Sequence, residues 1–296
     1  MKIRLAENFR AVFYAPFYAA QALGCFAREG LDVEFIASAK PGDAVAGLID
    51  GAIDLTWGGP MRVMQALDQD PGSPLTCFAE VVSRDPFYLV GRADRAEFRL
   101  TDLPRLRFAT VAEVPTPWMC LQHDLRLAGL DPARLDRVTD RTMPANLAAL
   151  RAGALDAVQV FEPFVAAALE AGTGGILYAA SARGPCVYTS FIASRERIAR
   201  DRPAFAAVTR AIAAMQSWLA AHDGDALAAA VAPYFPDVAP ALLASALQRY
   251  RAAGIWAATP EMSPEGFVRL AESFLSGGIL SHMPRFEACV DGSLRG

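Results

Sequence analysis

Residues 8–36 read NFRAVFYAPFYAAQALGCFAREGLDVEFI, and the order of their parts decides the fold. A short strand ends at Asn8, and a polar and aromatic loop follows. Pro16 opens a helix, Gly30 closes it, and a second strand runs from Asp32 to Ile36. Proline suits a helix's first turn because the N–H it lacks would be unpaired there, and glycine just past the end takes a positive φ without steric cost. The stretch is therefore a βαβ half-unit whose loop points beyond the strand tips.

The plan occurs twice. KPGDAVAGLIDGAIDLTW at 40–57 is matched by MPANLAALRAGALDAVQV at 143–160: a proline opens a helix, Leu-x-x-Gly closes it, and an aspartate introduces a strand. Gly30-Leu31-Asp32 is echoed by Gly129-Leu130-Asp131. Apolar strands alternating with helices indicate a mostly parallel α/β sheet in each copy, and two copies are two lobes rather than a repeat array. The extended segments Pro86 to Arg92 and Val187 to Ser194 lie at matching ends of the copies and are read as two crossovers. The expected architecture is two similar βαβαβ lobes around a ligand cleft, residues 1–91 with 192–296 forming lobe 1 and 92–191 lobe 2. The remainder is a helical C-terminal tail packed on lobe 1. Its helices, 203–221, 225–232, 240–253 and 264–275, carry apolar residues at i, i+3, i+4 spacing.

A length of 296 residues suits two domains. The formal charge of -4 is spread without runs, which excludes a nucleic-acid partner and an anionic membrane surface. Five scattered cysteines without CxxC spacing read as buried free thiols. No apolar run reaches membrane-spanning length, roughly 18 residues, and no secretory signal precedes the first strand. The chain is expected not to be membrane-inserted, to be monomeric, and to be cytoplasmic, or periplasmic if a leader was removed.

In open α/β sheets ligands sit beyond the carboxyl ends of the strands, where helix N-termini offer free N–H groups and partial positive charge. That rule selects loops rich in aromatic and polar groups. Phe9, Phe13, Tyr14, Trp57, Trp118, Phe161 and Tyr188 are candidates to stack on a ligand, each with lobe core as the alternative. Asn8, Arg10, Gly58, Arg84, Glu113, Thr116 and Glu162 are candidates to orient it. Glu113 has a second reading as a helix-terminal cap, and Glu162 has the same two. Carboxylates would suit an amino or ring N–H donor, whereas helix ends and arginines would suit an anion. Arg62, one turn into its helix, reads as a surface or ion-pair residue, with a ligand contact as the alternative. There is no G-x-S-x-G, P-loop or G-x-G-x-x-G pattern, and His123, His222 and His282 lack partners at metal spacing. Neither a catalytic residue, a metal nor a cofactor is assigned.

APFYAAQALGCFAREGLDVEF, GAIDLTWGG, GALDAVQVFEPF and the long helical tail together resemble the type II periplasmic binding-protein superfamily. The likeness is to its branch of alkanesulfonate-, taurine- and nitrate-type receptors and thiamine-pyrimidine (NMT1/THI5-like) proteins, and covers nearly the whole chain. The resemblance implies a solute receptor closing on a small heteroaromatic or sulfonate-like ligand and partnered by an ABC permease. Yeast-type pyrimidine synthases of this branch carry a lysine and a histidine where Gly58 and Arg62 stand here, and a cysteine cluster of which Cys186 alone remains, so their self-consuming chemistry is not expected. Asn8, Phe9, Glu113 and Glu162 match positions kept in pyrimidine-binding members, while Glu162-Pro163-Phe164 equally resembles the sulfonate and nitrate receptors. The rival reading is a cytoplasmic enzyme on the same fold, of the menaquinone-pathway or pyrimidine-biosynthesis type. The effector half of a transcription regulator is a third, weakened by the lack of a helix-turn-helix ahead of the first strand.

Overall fold

The computed structural model describes residues 1–38, 43–92 and 97–294. Strand β1 (Lys2–Glu7) leads through a 3₁₀ turn at Val12–Tyr14 into α1 (Ala15–Ala22) and α2 (Cys25–Arg28), then β2 (Asp32–Ala37). The sequence suggests one helix from Pro16 to Gly30. Two form because Gly24 adopts φ 69°, which breaks the helical hydrogen-bond ladder. Next come α3 (Ala44–Asp50), β3 (Leu55–Gly58), α4 (Met61–Gln69) and β4 (Leu75–Val82). The expected helix start at Pro41, and the loop from Ala39 to Gly42, lie outside the described residues.

The second copy comprises β5 (Tyr88–Gly91), β6 (Phe108–Ala109), α5 (Thr116–Leu127), β7 (Arg137–Val138), α6 (Met143–Arg151), β8 (Ala157–Val160), α7 (Phe164–Glu170) and β9 (Gly175–Ala179). Strand β10 (Thr189–Ser194) follows, then the helices α8 (Arg195–Arg200), α9 (Arg202–Ala221), α10 (Gly224–Val231), α11 (Pro240–Ala252), α12 (Pro264–Ser276) and α13 (Phe286–Cys289).

The strands form two five-stranded sheets with the same layout, β2-β1-β3-β10-β4 and β7-β6-β8-β5-β9. In each, the first three strands are parallel and the fourth runs antiparallel to both of its neighbours. Each sheet is thus more mixed than a reading of alternating strands and helices suggests. The fourth strand of each sheet, β10 or β5, is contributed by the chain as it passes from one copy to the other. The sequence boundaries put 88–91 with the first copy and 189–191 with the second; the pairing places Tyr88–Gly91 in the second sheet and Thr189–Ser194 in the first.

The duplicated aspartate does the same work in both copies. Asp54 accepts the N–H of Arg4 at 2.7 Å, and Asp156 accepts that of Arg107 at 2.9 Å. Each then returns its own N–H to the same partner's carbonyl. In the first copy the aspartate also holds the guanidinium groups of Arg4 and Arg197. The tail packs on the first lobe through α9 and α10 against α1, and two of its helices reach further, α11 against α7 and α12 against α5. All five cysteines are free and buried, and no described helix is long and apolar enough to cross a membrane.

Candidate functional site

The tips of β1 and β3, the 3₁₀ turn before α1, the start of α4 and the start of α5 converge on a cavity of about 40 Å³. That is room for roughly three water-sized groups. Of the candidate residues, Asn8, Phe9, Phe13, Tyr14, Thr116 and Tyr188 line it. The rings pack in an edge-on cluster, Phe13 4.2 Å from Tyr14 and Phe9 5.2 Å from Tyr14 between centroids. Burial holds the phenols of Tyr14 and Tyr188 above the ordinary tyrosine value, so both remain neutral hydroxyl groups at neutral pH. Thr116 and Met61 approach across the cavity, hydroxyl to sulfur at 3.7 Å, one from each copy.

Further residues stand at the wall beside these candidates. Gly59, Met61 and Arg62 bring the N-terminus of α4 to the cavity, and Val114 and Pro115 bring that of α5. Phe87 and Thr189 complete the wall. Arg62 is the only charged side chain among the described lining residues, and within 4.0 Å it has no ion-pair partner among them. Burial pulls its guanidinium below the ordinary arginine value, opposed more weakly by Tyr14 and Asp43, and an arginine in a protein stays charged. Of the two readings of Arg62, its place at the wall favours the second: in the first turn of α4 the half-buried side chain stands at the cavity. Thr189 is fully buried at the wall, and its hydroxyl has no hydrogen-bond partner among the described residues.

The other candidates are held elsewhere. Trp57 is fully buried and stacks on Phe17 at 4.6 Å, on the core side of β3. Gly58 lies just behind the wall, where an added Cβ would sit 3.9 Å from both Arg62 Nε and Asn8 Nδ2. Arg10 is exposed and paired with Glu7 at 2.9 Å, and Arg84 donates to the carbonyl of Ser181. Trp118 lies under the guanidinium of Arg137, 3.8 Å from its centroid. Glu113 accepts the N–H of Met143 at 2.9 Å and so caps α6, the structural alternative given above. Phe161 packs edge-on against Phe13 at 5.3 Å, in the layer behind the cavity wall. Glu162 is fully buried and bonded to Arg249 of α11. Which way each of these side chains turns is decided by its partners.

With this geometry in view, the sequence pattern described as NMT1/THI5 like matches residues 12–226. The chain is 25% identical over 287 residues to "Putative binding protein YtlA" of Bacillus subtilis (strain 168), covering 96% of this chain and 86% of that one. Its structure is similar to the periplasmic aliphatic sulphonate binding protein SsuA of Escherichia coli. The TM-score is 0.74 at 16% identity, covering 98% and 97% of the two chains. It is also similar to the alkanesulfonate-binding protein SsuA of Xanthomonas axonopodis pv. citri, solved with MOPS bound, with TM-score 0.69 at 16% identity, covering 96% and 94%. At these identities the structural likeness speaks for the fold alone: two α/β sheets in the arrangement of the periplasmic binding proteins. A pattern that spans most of the chain, on that fold, identifies it as a member of the NMT1/THI5-like family.

Proposed function

We propose that this chain is the solute receptor of an ABC-type uptake system, and that its ligand is a small anion carrying an aromatic or apolar body. The observation that carries this reading is Arg62, a charged group at a cavity wall whose described residues include no carboxylate. Two helix N-termini meet at the same place, and their free N–H groups and partial positive charge favour an anionic head. The neutral hydroxyl groups of Tyr14, Tyr188 and Thr189 supply further donors, and Phe9, Phe13 and Phe87 give the body of the ligand apolar faces. A thiamine-type pyrimidine would want a carboxylate partner, and Glu113 and Glu162 are both engaged in structural bonds. The two sheets, each with the helices packed on it, act in this reading as lobes that part to admit the ligand and close on it, with a permease receiving the loaded form.

Calorimetric titration tests it with aromatic and aliphatic sulfonates, small carboxylates, nitrate and an aminopyrimidine as probes. Binding of one of the anions, lost in Arg62→Gln, supports the reading. Binding of the aminopyrimidine with no response to any anion overturns it.

A further inference from the structure

We propose that Arg249 and Tyr250 of α11 are positioning residues of the clamp, fastening the second lobe at Glu162 to the first and so fixing the orientation in which the aromatic cluster closes. The inference rests on the two-lobed receptor reading above. Helix α11 belongs to the first side of the molecule: it packs on α10, which packs on α1. Its two residues nevertheless reach the loop between β8 and α7 of the second sheet. Arg249 Nη1 donates to Glu162 Oε1, whose other oxygen accepts the N–H of Ala166 at 2.9 Å. The Tyr250 hydroxyl accepts the N–H of Glu162 at 2.8 Å and donates to the carbonyl of Pro86 at 3.1 Å, in the segment entering β5.

One residue before Glu162 stands Phe161, 5.3 Å from Phe13 and 5.3 Å from Phe87 between centroids. Both of those rings line the cavity. The same end of α11 is tied to the cavity from the first side, since Tyr250 meets Trp256 edge-on and the Trp256 indole N–H donates to the carbonyl of Phe13 at 2.9 Å. Glu162 and Tyr250 are fully buried. A buried carboxylate that loses its guanidinium is left uncompensated, and it is relieved by a proton or by water. Here water reaches Glu162 when the second lobe moves away from α11. The fastening therefore biases the lobe equilibrium without touching a ligand.

Spin labels at Ile49→Cys and Leu127→Cys report the separation of the lobes. Both sites are exposed, and the native cysteines are buried. The expected result is a single distance in the parent and a longer population, increased at least tenfold, in Arg249→Ala. Tyr250→Phe keeps the ring and loses both hydrogen bonds, and should show the same longer population, with Arg249→Lys between parent and Arg249→Ala. Unchanged distances in these variants overturn the proposal, and so does a lower melting temperature with unchanged distances, which would mean ordinary packing. Benzenesulfonate separates this failure from failure of the receptor reading. If it binds the parent through Arg62 while the distances never move, the fastening falls and the receptor stands. If the variants open but none of the anionic probes binds the parent, the fastening stands and the anion receptor falls.

Discussion

Arg62 and Glu113 show how far a residue's role is set by its neighbours. Both are charged groups at the tip of a strand–helix turn, yet one faces the cavity and the other binds the backbone of α6. Arg62→Ala is expected to weaken binding of an anionic ligand by about tenfold to a hundredfold, about 1.4 to 2.8 kcal/mol, as the loss of one charged hydrogen-bond partner requires. Glu113→Gln should leave that affinity unchanged and cost under ~1 kcal/mol of stability, the size of a capping effect. Titration of both variants against the same ligand checks the pair. Glu80 gives a residue-scale test that needs no ligand. Burial pushes its carboxyl up to about 8 from 4.5, with the N–H of Ser263 pulling the other way. The folded chain therefore holds a proton there that the unfolded chain has released between about pH 4.5 and 8. Stability should fall as pH rises through that window and level off above it. Glu80→Gln should flatten that slope, gaining on the parent by on the order of a few kcal/mol at pH 8 compared with pH 5. Denaturant midpoints at the two pH values measure it.

At the scale of the element, the duplicated aspartates set one copy against the other. Asp54 is 2% exposed and holds two arginines as well as a backbone N–H, whereas Asp156 holds a backbone N–H near solvent. Asp54→Ala should cost about 2 kcal/mol, because Arg4 and Arg197 both lose their bonds to it and Arg197 keeps only Asp201, and Asp156→Ala nearer 1 kcal/mol. Chemical denaturation of both variants would show the asymmetry, and equal costs would mean that the arginines contribute nothing. The repeat was legible in the sequence because each copy needs the same punctuation: proline to open the helix, glycine to close it, aspartate to tie the next strand. The break between α1 and α2 was not, since Leu23-Gly24 can continue a helix at modest cost, and the φ of 69° that Gly24 adopts is only one of the conformations open to glycine.

At the scale of the whole molecule, a cavity of about 40 Å³ admits little beyond a head group, so in the proposed receptor reading the lobes separate for ligand exchange. Met61 and Thr116 meet across that cavity from opposite copies. Met61→Cys with Thr116→Cys, joined by a disulfide or a short bifunctional thiol reagent, should hold the lobes together. The linked protein should then neither take up nor release ligand, and reduction of the disulfide should restore exchange. Unaltered ligand kinetics in the linked form would show that exchange proceeds without parting of the lobes.

By itself the sequence determined the fold class, the duplication and the tail's helices. Those follow from periodicity and from glycine, proline and aspartate at fixed places, all local along the chain. Only the tertiary structure decided which strand-tip residues face the cavity. It drew Trp57 into the core against Phe17, gave Glu162 to Arg249 and Glu113 to the backbone of α6, and left Arg62 and Thr189 at the wall. Those outcomes depend on partners far away in sequence, 87 residues in the case of Glu162 and Arg249. A side chain's direction is settled by what it meets in space, and spacing along the chain carries no record of that.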